Sequence, residues 1–192
     1  MKLILGSASV RRAELLNRIT TDFEIVVSDF DEESIIFSGD CAKYVQDISF
    51  GKAMSVSKKL EEDAIIIGCD TVVFFKDTVL GKPSSEEDAF NMLHLLSGNS
   101  HFVYSGITIY NTKQDKIISD YYKTKVKFST LTDKQIFEYI KTGEPMDKAG
   151  AYGIQGKGSI FVEEICGCYY NVVGLPLNKI YYLLGKMGLN LI

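Results

Sequence analysis

The segment Ala64 to Phe75, Ala-Ile-Ile-Ile-Gly-Cys-Asp-Thr-Val-Val-Phe-Phe, limits what this chain can fold into more than any other stretch. It is nearly continuous β-favouring sequence, broken by Asp70 and Thr71, and Lys76-Asp77 suits a hairpin turn into Thr78-Val79-Leu80. Around it lie segments of helical period. Asp40 can cap a helix from Cys41 to about Leu60, on which Val45, Ile48, Lys52 and Val56 share a face at a period of about 3.6. Leu3 to Leu5 reads as a short strand, Gly6-Ser7-Ala8-Ser9 as a small-residue turn, and Val10 onward as a helix. Phe23 to Val27 alternates like a strand and runs into the acidic segment Asp29-Phe30-Asp31-Glu32-Glu33.

Downstream, Ser84 and Glu87 suggest a capping box for a helix through Leu96, which Gly98 stops. Phe102 to Tyr110 and Lys116 to Phe128 read as paired strands, and Thr132 with Gln135 as a capping box for a helix ending at Gly143. A last helix follows Pro176, with Ile180, Leu183, Leu184 and Met187 on one side. The elements alternate without a strict βαβ rhythm, which predicts a mixed sheet flanked by helices. No linker or repeat divides the 192 residues, so they are expected to form a single domain, with room for two lobes around a cleft.

A chain of this size buries roughly 70% of its unfolded surface and needs no disulfides. Cys41, Cys69, Cys166 and Cys168 contain no C-x-x-C pair, and His94 and His101 do not sit beside them, which argues against zinc or iron–sulfur chemistry. The apolar start Leu3-Ile4-Leu5 is too short for a signal peptide, and no stretch approaches the ~18 uncharged apolar residues of a membrane span. A cytoplasmic protein is expected, with no membrane partner. The net charge of −4 gives no general attraction to polyanions, so stable nucleic-acid binding is not expected and phosphate must be met by a local basic site.

Candidate cations are few and placed. Of 21 basic residues only Arg11, Arg12 and Arg18 are arginine. Arg11 and Arg12 fall in the first turn of a helix that Ser9 caps, where the dipole disfavours cations. A bound anion removes that conflict, and Ser7, Ser9, free backbone N–H groups and two guanidiniums would make a phosphate cradle. A capped surface helix with solvated arginines is the alternative. Asp70 in its apolar strand costs several kcal/mol to bury unless it is paired, metal-bound or facing a cleft, or else is satisfied by backbone amides. Lys52 interrupts an apolar helix face, though snorkelling explains it as well, and Lys82 is held between Gly81 and Pro83.

Glu32 is a weaker candidate, since an acidic loop is usually just solvated. Seven of the 16 glycines fall between Gly143 and Gly174, which points to a working loop. Within it Gln155 can donate and accept at once, as reading a base edge requires, or can simply tie the loop down. No P-loop is present, and Gly150-x-x-Gly153-x-x-Gly156 is expected to run into a strand, which excludes a dinucleotide fingerprint. With two histidines and no G-x-S-x-G elbow, serine hydrolase chemistry is not expected. A metal would be held by Asp and Glu oxygens, which suits Mg²⁺ or Mn²⁺. Together these residues suggest a nucleotide cleaved with metal help.

Ser7-x-Ser9-x-Arg11-Arg12, Gly51-Lys52-Ala53, Gly68-Cys69-Asp70-Thr71-Val72-Val73, Leu80-Gly81-Lys82-Pro83, and Asp147 to Gly156 followed by Asn171-Val172-Val173-Gly174-Leu175-Pro176 resemble the Maf family of nucleoside triphosphate pyrophosphatases across essentially the whole chain. Val10 departs from the family's usual proline at the first helical position, which loosens φ there without removing a functional group. The resemblance implies a Maf/ITPase-like mixed α/β fold with a deep cleft, commonly a homodimer, hydrolysing a nucleoside triphosphate to monophosphate and pyrophosphate with Mg²⁺ or Mn²⁺. It implies that Arg11, Arg12, Lys52 and Lys82 bind phosphates beside Ser7 and Ser9. Asp70, Arg12 and Lys82 would form the catalytic set, with Asp70 and Glu32 serving metal and water; Asp31 and Glu33 are alternatives one residue away. Thr71 and Gln155 match the branch preferring dTTP and UTP, including modified pyrimidine nucleotides. A second reading is a non-enzymatic nucleotide-binding regulator of cell division and septum formation, which would not need an aspartate in a strand centre.

Overall fold

The computed structural model describes residues 1–191. A mixed sheet of seven strands is flanked by helices. In chain order the elements are β1 (Lys2–Leu5), α1 (Val10–Leu16), β2 (Glu24–Ile25), α2 (Cys41–Ser57), β3 (Ala64–Phe75), β4 (Thr78–Leu80), α3 (Glu86–Leu96), β5 (Ser100–Asn111), β6 (Lys116–Phe128), α4 (Asp133–Ile140), β7 (Val162–Cys166), α5 (Tyr169–Val173) and α6 (Leu177–Lys186). The strand order is β2-β1-β3-β5-β6-β7, with β4 also paired to β3. β1 lies parallel to both β2 and β3, whereas β3/β4 and β6/β7 are antiparallel. β3 runs unbroken through Asp70 and Thr71, and its residues Ala64 to Asp70 are all buried. Burial on both faces explains why it reads as a continuous apolar run without alternation.

The chain forms two compact units. Among the described residues the first comprises 1–70, 105–122 and 174–191, and the second 71–104 and 123–173. In the first, Leu3, Ile4 and Leu5 pair in register with Ile65, Ile66 and Ile67. Ile4 and Ile66 pack with Ala53 and Val56 of α2, so the period read from the α2 sequence is the buried stripe of that helix. Each such aliphatic side chain contributes about 1.5–3 kcal/mol by leaving water. The core of the second unit is aromatic: Phe128 meets Tyr152 edge-on at 4.7 Å and His101 at 4.9 Å, and Tyr139 meets Phe161 at 4.9 Å.

Several local expectations shift. The strand foreseen over 23–27 is reduced to the pair Glu24–Ile25, and α2 ends at Ser57. The cap of α3 is Ser85, which accepts from the Asp88 amide; Ser84 instead turns its amide and hydroxyl to the Asp88 carboxylate. One residue of slip is enough because two serines precede the helix and an acid lies three residues from one and four from the other. The Thr132/Gln135 capping box forms in full. Lys76 and Asp77 make the β3/β4 turn with φ of 46° and 62°, the mirror-image turn that suits tight hairpins. After Gly156 the chain first makes a 3₁₀ turn over Lys157–Phe161 and only then enters β7. No helix among the described residues is long and apolar enough to cross a membrane.

Candidate active site

Lys52 projects from the buried stripe of α2, and its Nζ lies 2.8 Å from Asp70 Oδ1 and 2.8 Å from Glu32 Oε1. Two glycines make this meeting possible. At Gly68, two residues before Asp70, a Cβ would stand 2.9 Å from the Ala53 amide nitrogen and closer still to the Ser49 carbonyl. Strand and helix backbones therefore touch at the level of Lys52, which brings its ammonium to the Asp70 carboxylate. At Gly51 a Cβ would enter the Phe30 ring, 2.6 Å from Cε1, so the loop bearing Glu32 lies flat on α2. Ser55 of α2 and Lys59 just beyond its end hold that loop through Asp29, and Lys59 also donates to the Val27 carbonyl.

Among the three neighbouring acids, Glu32 is the one that meets Lys52. Asp31 caps the turn over Glu32–Ser34 by accepting from the Glu33 amide. Lys52 and Asp70 are both buried, at 8% and 6% exposure. A buried pair of this kind is costly to break, about 3–5 kcal/mol, because the remaining charge loses its partner. The carboxylates also colour their surroundings. Burial, with help from Asp40 and Asp70, pushes the Cys41 thiol up to about 12, and burial, then Asp70 and Glu32, pushes the Tyr44 phenol up. Both groups are therefore neutral at ordinary pH, and the local field is negative.

The turn between β1 and α1 orders the arginine pair. Ser9 caps α1, its hydroxyl accepting from the Arg12 amide at 3.4 Å, as the sequence predicts. The Ser7 hydroxyl accepts from the Ser9 amide at 3.3 Å and from Arg12 Nη1 at 3.1 Å. Arg12 Nε donates to the Gly174 carbonyl at 2.9 Å, and the same carbonyl receives the Cys69 thiol at 3.5 Å. Gly174 stands at φ 127°, a conformation that L side chains rarely adopt. The Arg12 guanidinium is thus aimed by a hydroxyl and a carbonyl, which relieves part of its conflict with the helix dipole before any anion binds.

Thr71, Lys82 and Gln155 belong to the second unit. Thr71 follows Asp70 in β3, Lys82 is exposed in the turn after β4, and Gln155 is exposed on the glycine-rich loop. That loop returns to both other segments: the Gly150 amide donates to the Gly81 carbonyl at 2.9 Å, and a Cβ on Gly150 would stand 2.7 Å from Val73 Cγ2. The first unit brings together Asp70, Lys52 and Glu32, and, separately, Ser7, Ser9 and Arg12; Arg11 lies in the first turn of α1, partly buried. Sequence reasoning names Gly51 and Gly68 only as parts of motifs and misses Phe30 and Ser55 as supports; their signal is nearness in the chain, Ser55 to Lys52 and Phe30 to Glu32.

No group of three or more His, Cys, Asp and Glu side chains among the described residues could hold a metal ion by itself. Asp70 and Glu32 nevertheless converge on one cation, the Lys52 ammonium, and present oxygen donors. That donor set fits Mg²⁺ or Mn²⁺, hard ions that are often bound by one or two carboxylates and complete their shell with water and substrate phosphate oxygens.

The Maf-like protein family matches residues 2–187. The chain is 62% identical over 191 residues to the dTTP/UTP pyrophosphatase of Clostridium novyi (strain NT), with 100% of each chain covered. It is 60% identical over 192 residues to the dTTP/UTP pyrophosphatase of Clostridium tetani (strain Massachusetts / E88), again with 100% of each covered. The solved structure of the Staphylococcus aureus Ham1 protein is a looser likeness, at 13% identity and a TM-score of 0.49, covering 97% of this chain and 100% of that chain.

Proposed function

The chain belongs to the Maf family, and from that premise we propose that it is a nucleoside triphosphate pyrophosphatase hydrolysing dTTP and UTP to the monophosphate and pyrophosphate. We further read residues 1–192 as one Maf-like domain that works in the cytoplasm as a homodimer. The observation that carries the chemistry is the Lys52 ammonium held at 2.8 Å from both Asp70 and Glu32. A buried aspartate paired with a buried lysine, with exposed Glu32 on the same ammonium, is costly to keep for stability alone and suits a reaction that needs a base and compensated charge.

Water attacks the α-phosphorus, a new P–O bond forms, and the bond to the bridging oxygen of the β-phosphate breaks with pyrophosphate leaving. Asp70 accepts the proton of the attacking water, and Lys52 fixes the direction of that carboxylate. Arg11, Arg12, Lys52 and Lys82 neutralise the triphosphate and the charge that gathers on the leaving group, with Ser7 and Ser9 ordering the arginine side. Glu32 and Asp70 would hold a divalent cation, which supplies charge stabilisation at the phosphates and a more acidic water. Thr71 and Gln155 face the choice of base. Uracil and thymine present an acceptor–donor–acceptor edge, of which a carboxamide meets the N3–H and O4 positions with its C=O and NH₂ together, whereas cytosine reverses both of those positions, with N3 an acceptor and its 4-amino group a donor.

The test is product analysis with dTTP, UTP, CTP, ATP and GTP, first with Mg²⁺ or Mn²⁺ and then with a chelator. Pyrophosphate and the monophosphate should appear in equal amounts, fastest from dTTP and UTP, and stop on chelation. Binding without turnover of any nucleotide would contradict the reading and favour a nucleotide-binding regulator of septum formation.

A further inference from the structure

Gln155 is exposed, yet the turn that carries it is held by a phenol on its entering side and a carboxylate on its leaving side. The Gly156 amide closes the turn onto the Gly153 carbonyl at 3.3 Å, with Gln155 between them. Glu144 Oε2 accepts from the Lys157 amide at 2.8 Å, and Oε1 accepts from the Gly158 amide at 3.2 Å and from the Tyr139 hydroxyl at 2.8 Å. The Tyr139 oxygen in turn accepts from the Gly153 amide at 3.0 Å. The chain entering the turn is thus tied to Tyr139, the chain leaving it to Glu144, and the two anchors to each other.

The glycines record the same contact independently. A Cβ on Gly156 would lie 2.5 Å from Glu144 Cδ, one on Gly153 would lie 3.1 Å from Glu144 Oε1, and one on Gly158 would lie 2.7 Å from the Tyr139 oxygen. A Cβ on Gly153 would meet the Lys148 stem first, at 2.6 Å from Cε, so the spacing of these glycines is the imprint of a carboxylate, a phenol and the lysine stem beside them packed into the loop. The anchors are themselves fixed. Tyr139 is buried on α4 against Phe161, and Lys148 Nζ donates to the Glu144 carbonyl at 2.8 Å. Bonds from amides to an ionised carboxylate are roughly twice as strong as neutral ones, so this clamp is firm for an exposed loop.

We propose that Glu144, with Tyr139, is the positioning residue that presents Gln155 to the base, so that selection between uracil or thymine and cytosine depends on a side chain that touches no substrate. This rests on the reading of Gln155 given above. Free loops lose hydrogen-bond geometry first, and a carboxamide that must meet two base positions at once is sensitive to a rotation that a phosphate contact would tolerate.

The experiment compares wild type, Glu144→Ala, Glu144→Gln, Tyr139→Phe and Gln155→Ala by amide hydrogen exchange over 153–158 and by kcat/KM for dTTP, UTP and CTP. Glu144→Ala should speed exchange at Lys157 and Gly158 and lower the dTTP-over-CTP ratio by about tenfold, with kcat at saturating dTTP changed by less than about threefold. Glu144→Gln, which keeps an acceptor and the shape, should recover part of both, and Tyr139→Phe should free the Gly153 amide. Unchanged exchange in the Glu144 and Tyr139 variants would overturn the clamp whatever Gln155 does. Faster exchange with an unchanged ratio, while Gln155→Ala lowers it, would overturn the link to base selection alone. A ratio unmoved by Gln155→Ala would remove the base-reading role on which the proposal rests.

Discussion

In the first unit the candidate side chains come from a helix and a strand whose backbones touch at Gly68, so Lys52 and Asp70 meet with both chains in regular structure. In the second, Gln155 rides on a turn whose geometry comes from amides bonded to Glu144 and Tyr139. The first arrangement cannot be adjusted without moving a core, because α2 and β3 are packed on aliphatic side chains on that side. The second can be retuned by one side chain. On the proposed reading, Asp70 and its partner Lys52 are thus built on the rigid part, and the group that would choose the nucleobase on the adjustable part, which is the division expected where chemistry is fixed and specificity varies.

The sharpest attempt to break that contrast is Asp70→Asn. Loss of the base should lower kcat for every nucleotide by roughly 10²- to 10⁴-fold, while Glu32 still pairs with Lys52 and the fold survives. Steady-state turnover with circular dichroism checks both halves, and near-normal activity would make Asp70 structural. Arg12→Ala comes next. It should weaken a non-hydrolysable dTTP analogue by roughly ten- to a hundredfold, and dTMP less, by calorimetry. Because Arg12 also holds the Gly174 carbonyl, its melting temperature should fall as well.

Smaller effects come from pH. Burial pushes the His101 imidazole of the second unit down to about 4, from 6.5 when unfolded. The unfolded chain therefore binds the extra proton first as pH falls. Stability should drop between pH 6.5 and about 4, by up to about 1.4 kcal/mol per pH unit, and His101→Phe should flatten that slope in denaturant titrations. Glu144 acts lower. Burial pushes its carboxyl up, but the Lys157 amide, the Tyr139 hydroxyl and the Gly158 amide outweigh this and hold it below the usual range. Its contribution is present above pH 4.5 and is lost as pH falls further. At the other end both units respond: Cys41 of the first, raised from 9.0 to about 12, and Tyr139 and Tyr152 of the second, raised from 10.0 by burial, all withdraw stability as pH rises above those ordinary values.

The same contrast explains what could be read from the sequence. Asp70 and Lys52 were visible because each is a charge in an apolar pattern, and Ser9 because capping is local chemistry. Glu32 could be placed only to within a residue, since a loop has no period, and it is the packing of Phe30 on Gly51 that selects it. The slip from Ser84 to Ser85 has the same origin, two capping residues side by side. Glu144 carried no signal at all. It sits beside Pro145 in a polar stretch that looks solvated, and its partners are backbone amides that have no identity in a sequence. Only the density of glycine around it hinted at a close approach, without saying what approached. The helix Tyr169–Val173 was hidden likewise, being too short to show a period.

The division of labour itself is tested by measuring kcat/KM for dTTP and CTP on Asp70→Asn and Gln155→Glu side by side. The account predicts that Asp70→Asn lowers both values with their ratio unchanged, and that Gln155→Glu, which loses the donor of its carboxamide, lowers the value for dTTP and leaves that for CTP closer to wild type. A shifted ratio in Asp70→Asn, or a uniform loss in Gln155→Glu, would contradict it.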